Sequence, residues 1–235
     1  MDERRRDRER AAAQGDLAAA VEALRHRLRA GELPEERLEL LVFLGDEVAA
    51  AALGRVVDPW PTDEQERRTR ARDLARWGTE CLGRAGAALA RAGLSLNGDE
   101  RVRAAADAID LWVSCPCDEH VKRAEDAGAD GAERAADEAT GDGAVSGADC
   151  VALVASGVSR QMSIWTRVHG HSQDRRDGWT AADLSRAMES LRHAGLEPVE
   201  VLLADLRPWV LGTGDPVRAR VARLALPPGP SPEVG

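Results

Sequence analysis

Tyrosine is absent from this chain, and phenylalanine occurs once. Runs of β-branched residues are scarce as well. Strands draw on these residue types, so their lack argues against a sheet. No window approaches the roughly 18 apolar residues that a membrane-spanning helix needs. Cysteine occurs four times, at Cys81, Cys115, Cys117 and Cys150, too few for a dense disulfide framework. The opening MDERRRDRER carries both signs of charge with no apolar stretch behind it. The expectation is therefore no export signal and a reduced, cytoplasmic protein. Glycine-rich phosphate loops are missing, and Ser156 and Ser159 lack the strand–turn–helix setting of a nucleophile. No catalytic residue and no cofactor are expected.

What is present is small, apolar and acidic. Hydrophobic residues make up 43 % of the chain, with alanine prominent among them, which favours closely packed helices. The formal net charge is −9. Such a surface repels nucleic acid and anionic membranes and suits a basic protein partner.

The chain is organised around Leu74 to Cys117, which reads as a helical hairpin broken at Leu94–Asp99. In its first segment Leu74, Gly78, Cys81, Ala85, Ala88 and Ala92 repeat at alternating spacings of four and three, widened by Trp77, Leu82 and Leu89. In its second, Val102, Ala105, Ala106, Ile109, Trp112 and Val113 share one face of a 3.6-residue period. Small residues on the first stripe allow a close approach, and Trp77 and Trp112 can fill what remains.

Around the hairpin, glycine, proline and aspartate punctuate short helices. Asp2 to Gln14 reads as a charged helix. Asp16 caps the next, which ends at Gly31. Pro34 stands at the first helical position before Glu35 and Glu36. Gly45-Asp46 is a stop and a start, and Gly54 a further stop. Val57-Asp58-Pro59-Trp60-Pro61-Thr62 forms a linker or a sharp turn, and Thr62 can cap the charged helix that follows. The run Arg67, Arg68, Arg70, Arg72 and Arg76 reads as a solvated face paired with Asp63, Glu64, Glu66 and Asp73. Asp118 to Thr140 is helix-like but weakened by Gly128 and Gly131. A loop from Gly141 to Gly147 follows, then helical spacing from Ala148 to Val168. Thr180 to Asp183 resembles a capping box. Gly195 and Leu196 close one helix, Pro198 opens another that Pro208 should kink or end, and Asp215-Pro216 starts a last one. The expected architecture is all-α, an irregular multi-helix array of antiparallel hairpins with about nine to eleven helices. Its parts are a short-helix region at 1–57, a main helical domain at 62–226 and a disordered tail at 227–235.

Cys115-Pro116-Cys117-Asp118-Glu119-His120 carries the strongest chemical signal. Two thiols and an imidazole are zinc-type ligands, and Cys81, Cys150, His169 or His171 are candidates for a fourth. The Cys-x-Cys-x₂-His spacing is not a usual structural-zinc pattern. The favoured reading is a helix-to-helix turn, with Cys115 at the cap, Pro116 at the first helical position and acids following, and no metal. His169-Gly170-His171 with Asp174 and Asp177 reads as a polar loop. The tryptophans at 60, 77, 112, 165, 179 and 209, about one per helical unit, read as core packing.

The middle of the chain, about residues 70–160, resembles a helical immunity-protein family encoded beside bacterial polymorphic toxins. The residues that carry the likeness are Leu74-Ala75-Arg76-Trp77 with Cys81, then Asp99-Glu100-Arg101-Val102-Arg103-Ala104-Ala105 with Ala108 and Trp112, then the alanine-rich Ala124 to Ala136. Cys115-Pro116-Cys117 stands where the family usually has charged residues, and glycines stand where it has alanines. The resemblance implies a non-enzymatic protein that neutralises a toxin by occluding it. Candidate interface residues are Asp118, Glu119, Glu125, Asp126, Asp130, Glu133, Asp137 and Glu138, acids that can steer a basic toxin. The alternatives are a helical-repeat scaffold or adaptor, and a zinc-dependent enzyme.

Overall fold

The structure, a computed structural model, describes residues 16–97, 100–115, 117, 119, 120, 122, 123, 126 and 184–224. Among these the regular structure is entirely helical, with no strand. No helix among them is long and apolar enough to cross a membrane. The chain divides into two compact units, one of Met1–Pro61 with Leu206–Gly214 and the other of Thr62–Asp205 with Asp215–Gly235. The expected helix at Asp2 to Gln14, the tail at 227–235, and the loops and helices expected between 127 and 183 lie outside the described residues.

The first unit holds α1 (Leu17–Arg29), α2 (Glu35–Phe43) and α3 (Glu47–Leu53). Each begins and ends on local chemistry. The Asp16 carboxylate accepts from the Ala19 N–H at 3.0 Å, and that of Asp46 from the Ala49 N–H at 2.8 Å. Both satisfy backbone donors that a helix start leaves free. Gly54 closes α3 at φ 66°, a left-handed conformation that only glycine adopts without strain. Pro34 differs by one position from its expected place. Its ψ of 140° is extended, so it precedes the helix as cap and Glu35 is the first helical residue. Leu38, Leu41 and Leu44 from α2 are fully buried with Ala49 and Ala50 of α3. Each such leucine contributes about 1.5–3 kcal/mol. The Phe43 and Trp60 rings meet edge to face at 5.7 Å. Trp209 is half-buried beneath the Arg37 guanidinium, 5.6 Å from its ring centre.

The second unit is built on α5 (Gly78–Asn97) and α6 (Glu100–Ser114), the most extensively packed pair of elements. The hairpin is the expected one with shifted ends: α5 runs to Asn97, past the expected break at Leu94. Leu74 to Trp77 belong instead to a 3₁₀ turn, Asp73–Trp77, entered from α4 (Glu64–Arg72). Gly78, at φ 79°, follows that turn directly and opens α5. Cys81, Ala85, Ala88 and Leu89 are buried as the stripe requires, and so are Ala106, Ile109 and Trp112 opposite. The side chains of Val102 and Ala105 lie outside those described.

Trp112 packs on Gly83, where an added Cβ would stand 2.8 Å from the ring. Trp77 lies in the 3₁₀ turn before α5. It is half-buried, with the Arg76 guanidinium 3.8 Å from its ring centre. Residues 184–193 form α7, which ends as expected. The Leu196 N–H donates to the Leu191 carbonyl at 3.0 Å, past Gly195 at φ 85°. α8 (Pro198–Val210) runs through Pro208 for two more residues, so that proline neither ends the helix there nor interrupts the Leu211 N–H to Arg207 carbonyl bond of 2.9 Å. α9 (Pro216–Leu224) packs against α6.

Candidate functional site

α6 ends at Ser114, but the Cys115 N–H still reaches back to the Leu111 carbonyl at 3.0 Å. The chain then turns sharply. The Cys117 N–H donates to the Cys115 carbonyl at 2.8 Å, and His120 Nδ1 lies 2.9 Å from the same oxygen. A carbonyl only accepts, so Nδ1 is the donor in this contact. Glu119 and His120 are helical again.

This turn gathers both thiol sulfurs and one imidazole nitrogen within 4.8 Å of one another, the two cysteines exposed and the histidine half-exposed. The Cys117 thiol is held below its ordinary pKa, first by the His120 backbone N–H and then by the Cys115 side chain. Cys115, hydrogen-bonded to Cys117, is shifted upward. Cys81 is 1 % exposed in α5, and burial pushes its thiol up to about 12. Cys81 does not join the group among the described residues. The other candidate fourth ligands, Cys150, His169 and His171, and the loop acids Asp174 and Asp177, lie outside the described residues, as does Pro116.

Of the eight candidate interface acids, Glu119 and Asp126 are described, both helical and exposed. Asp118, Glu125, Asp130, Glu133, Asp137 and Glu138 lie outside the described residues.

Three sets of buried charges were not foreseen. Arg84, 6 % exposed, holds Asp215 with Nη1 at 2.8 Å and Nη2 at 3.0 Å, and Glu80 with Nε at 3.2 Å. Burial works against the Asp215 charge. The Arg84 hydrogen bond and the Arg218 backbone N–H outweigh it and leave that carboxyl below its usual range. Asp110, with no exposed surface, takes Arg220 Nε at 2.8 Å and Nη2 at 2.9 Å, and Arg91 Nε at 2.9 Å. Arg220 also holds Asp205, Nη1 at 2.6 Å and Nη2 at 3.0 Å.

Arg67 holds Glu189 of α7, Nε at 2.9 Å and Nη2 at 2.8 Å. That hydrogen bond lowers the Glu189 pKa and raises that of Arg67. This corrects the reading of the arginine run as one solvated face. Arg68 does pair with Glu64 as a neighbour on the helix, but Arg67 faces inward and Arg70 is buried. Asp63, not Thr62, caps α4, its carboxylate accepting from the Glu66 N–H at 2.9 Å. The Thr62 carbonyl instead accepts from Arg67 Nη1.

A signal for these pairs was present. Asp110 falls between Ala106 and Val113 on the apolar face of α6, and Arg84 between Cys81 and Ala88 on that of α5. A charge in such a stripe demands a partner of opposite sign.

No family model, no curated protein and no solved structure matches the chain.

Proposed function

We propose that this chain acts by binding another protein, without chemistry of its own, and that the partner is a basic toxin which it neutralises. The observation that carries the reading is where the charges sit. Within the described residues the buried guanidinium group of Arg84 and the part-buried ones of Arg91, Arg67 and Arg220 are paired with Asp215, Asp110, Glu189 and Asp205. These groups hold helices to one another and are not poised for proton transfer. The formal net charge is −9, and the exposed acids of the described helices include Glu119 and Asp126. An acidic helical surface meets a basic protein with fast, steered association. The toxin as partner comes from the resemblance of residues 70–160 to helical immunity proteins.

The test is co-expression with the product of the gene next to this one. Restored growth and a complex that co-purifies are expected. Changing Glu119, Asp126, Asp118 and Glu125 to Lys should slow association and flatten its salt dependence. Unrelieved toxicity would remove the toxin, and an unchanged association rate at low salt would remove this segment from the interface.

A further inference from the structure

We propose that Cys115, Cys117 and His120 bind one zinc ion through two thiolates and one imidazole nitrogen. The proposal stands apart from the protein-binding reading, since neither requires the other. Three observations carry it. The three donor atoms lie within 4.8 Å of one another. Zinc held at about 2.3 Å from sulfur and about 2.0 Å from nitrogen needs its donors roughly 3.5–3.8 Å apart. Rotation of exposed cysteine side chains covers a difference of that size without moving the backbone.

The second observation is the histidine. Its Nδ1–H is tied to the Cys115 carbonyl at 2.9 Å. A metal-binding histidine ordinarily donates its other ring N–H to a carbonyl or carboxylate in this way, which fixes the tautomer and leaves Nε2 for the metal. Here the carbonyl belongs to one of the two cysteines, so the same short turn supplies the ligands and orients one of them.

The third is the donor chemistry. Thiolates select zinc, copper(I) or iron–sulfur clusters. An imidazole beside them on an exposed turn suits the ligand preference of zinc.

The full chain, reduced with a phosphine and stripped of metal, is titrated with Zn²⁺ against a chromophoric chelator and separately with Co²⁺. One equivalent of zinc retained through gel filtration is expected, with a thiolate-to-cobalt charge-transfer band from two sulfurs. Cys117→Ser should lower the affinity on the order of a hundredfold and halve that band, and His120→Ala should lower the affinity with the band retained. Because both cysteines are exposed, the far-UV spectrum of the serine variants should match that of the parent. The proposal is overturned if the reduced chain retains no zinc, if it retains copper(I) alone, or if the triple variant of Cys115, Cys117 and His120 binds as the parent does.

Discussion

Arg220 reaches Asp110 with two nitrogens, Nε at 2.8 Å and Nη2 at 2.9 Å, and Asp110 has no surface exposed to solvent. The two residues stand 110 positions apart in sequence and lock α9 to α6. A buried pair of this kind is costly to break from one side, because the abandoned charge stays buried. Asp110→Ala leaves both Arg91 and Arg220 without their shared carboxylate. It should lose about 3–5 kcal/mol of stability in urea unfolding. The double change Asp110→Leu with Arg220→Met should lie closer to the parent than either single variant. A loss below about 1 kcal/mol for Asp110→Ala would mean that the pair is not a structural tie.

Gly83 makes a separate demand. A methyl group there would sit 2.8 Å from the Trp112 ring and 3.1 Å from Val113. Gly83→Ala gains about 1 kcal/mol of helix propensity, but overpacking a filled site costs about 1–3 kcal/mol. The net effect should be destabilising, with a changed Trp112 environment in near-UV circular dichroism. In a Trp112→Leu background the same change should become neutral or stabilising. A stabilised Gly83→Ala single variant would show that the hairpin is looser than the Gly83–Trp112 contact implies.

These two contacts mark what could be read from the sequence. Helix starts at Asp16 and Asp46 and stops at Gly31, Gly54 and Gly195 were legible, because a cap is decided by residues within one turn of it. The stripe of α5 was legible from its period, though Gly83 was not singled out beside it. The partner of Arg67 was not legible, since Glu189 lies 122 positions away and Asp63, Glu64 and Glu66 were nearer candidates. Asp110 and Arg84 gave half a message: each sat in an apolar stripe, which calls for a partner without naming it. The Cys115 turn was the reverse case. Its residues stood in plain sight, but their spacing matched no familiar pattern. What gathers them is one carbonyl accepting two hydrogen bonds, and that has no sequence signature.

Glu189 gives a prediction in pH. Its hydrogen bond to Arg67, with further help from the charges of Arg67, Arg192 and Arg68, holds its folded pKa below the ordinary 4.5. A carboxyl depressed on folding stabilises the folded state at every pH above its unfolded pKa. That contribution fades as pH falls from about 4.5 through the lower folded value. Asp215 behaves alike from its ordinary 3.8 downward. Urea midpoints measured from pH 7 to pH 3 should therefore fall steeply at the acid end. Glu189→Gln should start lower at pH 7 and fall less steeply below pH 5. Parallel curves for parent and variant would place the acid sensitivity elsewhere.

The three described cysteines differ in reactivity for reasons the fold supplies. Cys117 is exposed, and its thiolate is favoured by the His120 backbone N–H and by the Cys115 side chain. Cys115 is equally exposed, but its hydrogen bond to Cys117 disfavours its own ionisation. Cys81 is buried in the hairpin with its pKa raised to about 12. Thiolate is the nucleophile, so access and ionisation together set the order. Metal-free protein treated with limiting iodoacetamide at pH 7 should be modified first at Cys117, then at Cys115. Cys81 should react only after unfolding in urea. Peptide mass spectrometry over time reads the order directly. Early labelling of Cys81 would mean that α5 and α6 open readily. Equal rates at Cys115 and Cys117 would mean that the turn does not bias which of the two thiols gives up its proton. Preincubation with zinc should protect both exposed cysteines and leave the slow rate at Cys81 unchanged, which separates ligation at the turn from a general tightening of the fold.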